Sequence, residues 1–479
     1  LMYAADATVT GDPTLLRRDF RLQLLRFVRG ARGTFGPGMR FHYLPQEHIN
    51  HPMNVDSTEY ANIVLSFTRF YTQARRAGMR AMPAEHKHLV QQWVARAIAG
   101  YWTHAGYNNW DSGLGFNRWH QAKKFGLTQQ ALIGIVSAPT LAPDARWTRW
   151  AKYMLDRGFE FYERTAERDG GIADPLFFNV HVVPQEQGSA RLAAARVLAN
   201  AARAIDAGLG AKKASRPPAL YAYDPDIGRL AVTTPRYNTA IIAVNQRAFP
   251  YGGIDLARLF DGEQDVAGGI GGTPPASFGA IVRDVNGRRV LASQVGRAAV
   301  SRNFTPLRLV KAPSGVTATA SSAIGRAFAG PFTDLRATGT VASRTAGIRV
   351  THRFTPRSIQ TRWDITRRRA AGAYSVDVLF PSTGRSAARV IAVLRDGSQV
   401  EVRSRIALSR VRRLDVRSRY SGYTVTPLSR PAGAAVHVMH PHPQASAPDA
   451  GPTLAVQLER SSRFPRTAFT ARLTPKESR

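Results

Sequence analysis

The chain has 479 residues, 44% hydrophobic and 21% charged, an ordinary globular composition that is long enough for two domains. Its 66 basic residues against 33 acidic ones give a net charge of +33, and it contains no cysteine. The missing thiols exclude disulfides, thiolate metal sites and cysteine nucleophiles, and the sequence has no apolar run of the roughly 18 residues that a membrane-spanning helix requires.

The positive charge is not confined to a tail. Residues 1–220 carry 28 basic and 17 acidic residues, net +11, and residues 221–479 carry 38 and 16, net +22. Charge of this sign attracts polyanions such as nucleic acid, anionic membranes or acidic polysaccharides. Leu1–Asp6 lacks the basic start and long apolar core of a signal peptide, so any such leader is expected to have been removed.

In chain order, Phe20, Leu24, Phe27 and Val28 fall at helical spacing and predict an amphipathic helix over 14–29. Residues 32–54, rich in Gly, Pro and His, read as a long loop. Asp56-Ser-Thr-Glu59 has the form of a helix start, and the apolar face Ile63, Phe67, Phe70 and Tyr71 carries that helix to Gly78. Pro83 is placed to open the next helix as its first residue, which runs through Leu89, Trp93 and Ile98 to Gly100. Further helices are expected at 127–137, 145–166 and 187–207. Six or seven helices joined by alternating short and long loops suggest stacked helical hairpins, the unit of an α/α toroid.

Residues 208–220, Gly-, Lys- and Pro-rich, read as a linker. Beyond it the hydrophobic period changes to two. Residues 280–291 predict a hairpin around Asn286-Gly287, and 390–408 another around Asp396-Gly397. Ile348, Val350, His352 and Phe354 alternate with polar residues, as do Ile359, Thr361, Trp363 and Ile365. Many alternating strands without helices predict a large antiparallel β-sandwich over 221–479. The C-terminus reads as a basic tail. The fold class is therefore α+β and multidomain: an N-terminal, incomplete α/α toroid over 1–207, the linker, then the sandwich.

Three stretches offer chemistry. The loop 107–120 holds Asn109, Trp110, Arg118, Trp119 and His120: an amide donor, flat faces for sugar rings, a guanidinium that can fork onto a carboxylate, and a group titrating near neutrality. The end of the next long loop supplies Asn179 and His181. The stretch 235–253, at the change from helix to strand, holds Arg236, Tyr237, Asn238, Arg247 and Tyr251. A tyrosine normally keeps its proton until about pH 10. Adjacent arginines would lower that value and let Tyr237 abstract and return a proton. The alternative for each residue is structural: tryptophans in a core, asparagines in turns, Tyr237 packed in a strand.

A run of helical hairpins, an Asn109-Trp110 loop, a downstream His181 and Tyr237, followed by a sandwich, resembles the bacterial polysaccharide lyases of the hyaluronate/chondroitin and heparinase II/III-like type. The resemblance implies β-elimination on a uronate polymer. Asn109 would neutralise the C5 carboxylate, His181 would assist or act as base, and Tyr237 would be base, acid or both. Trp110, Arg118, Trp119, His120, Asn179, Arg236, Asn238, Arg247 and Tyr251 would bind substrate. Here Tyr237 lies far downstream of His181, whereas the hyaluronate-lyase pattern keeps the two close. The resemblance implies an anionic polysaccharide partner, no nucleic acid or membrane partner, no required cofactor, and a secreted or periplasmic location. A structural metal at His437–His442 or at Glu47, His48 and His51 lacks a known ligand spacing. Two competing readings are a toroid glycoside hydrolase using Asp111, Asp169 and Asp174, and a non-catalytic polyanion binder.

Overall fold

The computed structural model describes residues 2–30, 65, 67–104, 106, 129–165, 184–224, 229–242, 254–256, 258–260, 278–294, 305–311, 329–368, 374–382, 388–417, 421–440, 451–461 and 465–476. Within them the N-terminal part is helical: α1 (Met2–Thr10), α2 (Thr14–Gly30), α3 (Phe67–Arg76), α4 (Ala84–Gly100), α5 (129–137), α6 (Ala145–Thr165) and α7 (Pro184–Asp206). Each follows from its sequence period. Among the described residues of α6 the buried large apolar side chains Trp147, Trp150, Met154 and Leu155, with Ala151, form one stripe at helical spacing, and Lys152 is buried beside it with Nζ 2.6 Å from Asp156. Pro83 is the residue before α4 rather than its first helical residue, with ψ 149°. The residue ahead of the helix keeps non-helical dihedrals while its carbonyl accepts the first helical bond, here from Lys87 at 2.9 Å.

α4 is the hub of the helical layer. Its C-terminal half, Val94-Ala-Arg-Ala-Ile-Ala-Gly100, is apolar on nearly all sides and buries Val94, Ala95, Ala97, Ile98 and Ala99. A helix of that kind must be covered on more than one face. α2 and α6 cover part of it, and a β-sheet covers the rest. α3 and α5 meet closely at Gly134, where a Cβ would stand 2.3 Å from Thr68 Oγ1. Thr72 Oγ1 donates to the Ser137 carbonyl at 2.8 Å and ties the same pair.

The covering sheet has five strands in the order β4-β3-β2-β1-β8, comprising β1 (Leu220–Asp224), β2 (Arg229–Thr233), β3 (Asn238–Ile242), β4 (Arg258–Phe260) and β8 (Ala329–Pro331). β1 shows how one strand joins two cores. Leu220 and Ala222 belong to the helical core, while Tyr221 and Tyr223 belong to the core of the C-terminal part. Successive side chains on a strand point to opposite faces, so a strand buried on both sides reads apolar throughout.

The remaining strands form a nine-stranded antiparallel sheet, order β14-β13-β16-β17-β20-β11-β10-β9-β7, and a six-stranded one, order β15-β18-β19-β12-β5-β6. The first comprises β7 (Thr305–Lys311), β9 (Leu335–Ala342), β10 (Ala346–Phe354), β11 (Ile359–Arg367), β13 (Arg389–Leu394), β14 (Gln399–Glu401), β16 (Val411–Arg417), β17 (Gly422–Pro427) and β20 (Arg466–Pro475). The second comprises β5 (Gly279–Arg283), β6 (Arg289–Ala292), β12 (Ser375–Phe380), β15 (Ile406–Ala407), β18 (Ala435–Met439) and β19 (Thr453–Arg460). One face of the nine-stranded sheet shares a continuous apolar core with residues of the other two sheets: Ile348, Val350 and Trp363 meet Val376, Val378 and Val456, and also Tyr221, Val232 and Ile241. The molecule is thus α+β, a helical layer docked through a five-stranded sheet onto antiparallel β-sheets.

Residues 208–220, read as the linker, lie against the helical layer: Leu209 is buried, and Ser215 N–H donates to the Arg149 carbonyl at 3.2 Å. Two expectations change. The hairpin at Asp396-Gly397 ends at β14, and β15 pairs instead with β18 in the other sheet. The supposed basic tail is β20, paired on both sides in the middle of the nine-stranded sheet.

Candidate functional site

Of the twelve residues singled out in the sequence, Asn109, Trp110, Arg118, Trp119, His120, Asn179, His181, Arg247 and Tyr251 lie outside the described residues. So do the glycosidase candidates Asp111, Asp169 and Asp174, and the histidines at 48 and 51. Arg236, Tyr237 and Asn238 lie in the turn from β2 into β3. Thr234 shapes that turn, its Oγ1 accepting from the backbone N–H of Arg236 at 3.0 Å and of Tyr237 at 2.9 Å.

Tyr237 is not at a cleft. It is 0% exposed, and its hydroxyl donates to the Thr355 carbonyl at 2.7 Å, with the Ser358 carbonyl at 3.4 Å. Burial pushes its phenol well above the usual value, the opposite of the lowering expected from neighbouring arginines. A phenol that donates to a backbone carbonyl inside a core neither meets a substrate nor gives up its proton near neutrality. Its role is to pin β3 to the turn between β10 and β11, and the proton-transfer assignment is corrected accordingly. Arg236, beside it, is half-buried.

Asn238 faces the junction between the helical layer and the sheet. It is fully buried, bonded through Oδ1 to Thr233 Oγ1, while its Nδ2 has no partner. Thr233 Oγ1 also lies 3.0 Å from His104 Nδ1. His104, just beyond α4, places Nε2 3.0 Å from both the Pro217 and Pro218 carbonyls. Those carbonyls only accept, so Nε2 carries the proton; Nδ1 and Asn238 Oδ1 are then both acceptors facing the single Thr233 hydroxyl proton, which serves one of them at a time. Burial lowers the His104 pKa to about 4, so the ring is neutral at pH 7. This chain of contacts joins helix, linker and sheet. Composition and spacing gave no sign of it, since its members are 129 and 113 residues apart.

A second polar cluster is enclosed in the sheet core. Asp255 accepts from Trp363 Nε1 at 3.1 and 3.0 Å through its two oxygens. His352 donates through Nε2 to the Ile254 carbonyl at 2.9 Å and meets Thr361 Oγ1 at 3.0 Å. Burial raises the Asp255 pKa and lowers that of His352. Both are at most 1% exposed, so this cluster organises the core and has no route to a substrate. Of the proposed metal-binding histidines, His437 sits 3.4 Å from Asp377 Oδ1, whose other oxygen takes Arg283 at 2.6 Å. Among the described residues no group of three or more candidate ligands could hold a metal ion.

The outward face of the nine-stranded sheet is cationic. Register aligns Arg336, Arg353, Gln360, Arg472 and Thr426 in one row across β9, β10, β11, β20 and β17. Neighbouring strands lie about 4.8 Å apart, which sets the spacing along the row. Arg362 stands in the next row on that face and Arg349 in the one beyond. Opposition of Arg336 and Arg353 is unfavourable in isolation. Asp334 relieves it by accepting from Arg353 at 2.9 Å, and Asp364 accepts from Arg362 and Arg466. Arg336 and Arg472 stay exposed.

No protein-family model matches the chain, and no curated protein matches it in sequence. Among solved structures it is similar to a xanthan lyase from Paenibacillus, at 9% identity and a TM-score of 0.48, over 93% of this chain and 40% of that one. It is also similar to the heparan sulfate lyase HepC from Pedobacter heparinus, at 10% identity and 0.34, over 99% of this chain and 74% of that one. A heparinase III matches at 9% identity and 0.36, over 87% of this chain and 59% of that one. The chain therefore spans 40% of the length of the xanthan lyase. Likenesses of this degree assign no residue of this chain to a site.

Proposed function

We propose that the protein is a polysaccharide lyase that cleaves a uronate-containing polymer by β-elimination. The observation that carries the polyanion part is the arginine-bearing outer face of the nine-stranded sheet, in a chain of net charge +33. Its rows suit a chain bearing anionic groups at regular intervals. Attraction of this kind is screened at high salt. The elimination itself rests on the resemblance drawn from the sequence.

With Tyr237 committed to the core, the proton-abstracting role falls to His181, and Asn109 neutralises the carboxylate. Abstraction of the C5 proton builds negative charge on that carboxylate, and neutral or cationic donors stabilise the resulting enolate-like state. The electron pair then forms the C4–C5 double bond as the glycosidic oxygen leaves with a proton. An incomplete α/α toroid would carry these loops, and secretion or export to the periplasm would bring the enzyme to its substrate.

The test is incubation of the protein with glucuronan, hyaluronan, chondroitin, heparin-type chains and alginate, read by ultraviolet absorbance of the unsaturated uronate. Absorbance that is lost in His181→Ala and Asn109→Ala is the expected result. New reducing ends without absorbance mean hydrolysis, and would point to Asp111, Asp169 and Asp174. Salt-sensitive retention without any cleavage means a non-catalytic binder.

A further inference from the structure

The helical layer holds a second cationic feature, concave rather than flat. On α3, Arg69, Thr72, Gln73 and Arg76 fall at positions i, i+3, i+4 and i+7, so they share one helix face. That face, the last turn of α7 with Arg203 and Asp206, and Lys212 beyond it enclose a pocket of about 330 Å³. Its wall thus carries three guanidiniums and an ammonium against one carboxylate. Among the described residues no ion pair neutralises Arg69, Arg76, Arg203 or Lys212, although Asp206 lines the same pocket.

The cations are also held in place. The Arg69 guanidinium carbon lies 4.5 Å from the Phe70 ring centroid. Arg203 Nη1 donates to Asn200 Oδ1 at 3.0 Å. Burial and the like charge of Arg203 both lower the Arg69 pKa, so the pocket sets two guanidiniums in mutual repulsion. The helix dipole explains Arg76 and Arg203, since cations are favoured in a last helical turn. It does not explain why both helix ends, Arg69 and Lys212 converge on one cavity. An anion removes the repulsion and can take several charge-assisted hydrogen bonds at once.

We propose that this pocket is a subsite for an oxyanion substituent, a sulfate ester or a uronate carboxylate, on an acidic glycan. It rests on the polyanionic substrate proposed above, and it does not depend on the chemistry of cleavage. Three guanidiniums and an ammonium opposed by one carboxylate leave three positive charges in excess, which favours a sulfated or doubly charged unit over a single carboxylate.

The test measures binding by calorimetry to inorganic sulfate, to a sulfated heparin-type oligosaccharide and to an unsulfated hyaluronan oligosaccharide. The Arg76→Ala/Arg203→Ala variant is compared with Arg80→Ala/Arg288→Ala, which removes the same charge from exposed positions outside the pocket and outside the nine-stranded sheet. The pocket variant is expected to bind the sulfated oligosaccharide at least about tenfold more weakly, as loss of charged hydrogen bonds implies, and the control variant to change little. Equal losses in the two variants, or none in the pocket variant, would overturn the inference. If the hyaluronan oligosaccharide shows the larger loss, the occupant is a carboxylate. Loss of binding in the pocket variant, with no polymer cleaved by the wild-type protein, leaves the subsite standing and removes the lyase reading. Cleavage with unchanged binding does the reverse.

Discussion

The helical layer and the β-sheets treat buried polar groups in opposite ways. Within the sheet core His352, Asp255, Trp363, Gln294, Ser382 and Tyr423 all have partners, most of them backbone carbonyls. Among the described residues, the buried side-chain atoms left without a partner include both nitrogens of His86, Trp102 Nε1, Thr103 Oγ1, both amide atoms of Gln129 and Thr148 Oγ1, all in the helical layer. The last in chain order is Asn238 Nδ2, at the junction. Each such group costs about 1–3 kcal/mol. A core that satisfies every polar group is built for stability, whereas uncompensated groups gather where a protein serves something besides its fold. The contrast marks the helical layer as the region whose buried polar groups the described side chains leave uncompensated.

The largest expected effect is in the satisfied region. Asp255→Ala strips the acceptor from the Trp363 indole N–H and opens a cavity beside His352, and should cost about 4 kcal/mol. Asp255→Asn keeps an acceptor oxygen and should cost less. Denaturant unfolding of both variants checks this. Near-equal, small losses would mean that the sheet core is less dependent on its polar cluster than the contrast claims.

Next comes the junction, where the two regions meet through His104. Its folded pKa of about 4 lies below the ordinary 6.5. The unfolded chain therefore binds the proton more readily over that interval. The contribution is complete above pH 6.5 and is lost as the pH falls towards 4, amounting to about 3 kcal/mol. Thermal unfolding between pH 7 and 4 should show this slope in the wild type, and His104→Gln should flatten it. An unchanged slope in the variant would assign acid sensitivity elsewhere.

Elements defined by local pattern were legible in the sequence. The alternation from Ile348 to Ile365 gave β10 and β11, and Asn286-Gly287 gave the β5–β6 hairpin, with Gly287 at φ 75°. α1 was missed because it buries no residue and so shows no apolar stripe. β20 was mistaken for a tail because its inward positions include only Phe469 and Leu473 as large apolar residues, and its partners β11 and β17 are distant in sequence. The site was less legible for the same reason. Arg236 beside Tyr237 suggested a cation-tuned phenol, yet the groups that define its environment are Thr355 and Ser358, 118 and 121 residues away.

A smaller effect tests the unsatisfied region directly. Gln129 is 0% exposed with neither amide atom paired. Gln129→Leu keeps the volume and removes the desolvated amide, so it should stabilise the protein by about 1–2 kcal/mol. A rise in Tm with glycan binding unchanged is the expected result. A fall in Tm would show that it makes a bond in solution, and would erase part of the contrast between the regions.

The smallest effect separates a core tyrosine from a catalytic one. Tyr237→Phe removes only the hydroxyl, leaving the ring packed and the Thr355 carbonyl short of one donor. The expected loss is about 1 kcal/mol of stability. Turnover of any uronate polymer the wild type cleaves should be unchanged, because the hydroxyl has no route to substrate and its proton is held by burial. Loss of a general acid or base lowers turnover by about a hundredfold or more, so the two roles differ by far more than assay error. A stable Tyr237→Phe protein that has lost its turnover would return the tyrosine to the mechanism. It would also require the turn at Thr355–Ser358 to open during the reaction, turning the rigid side of the comparison into the moving one.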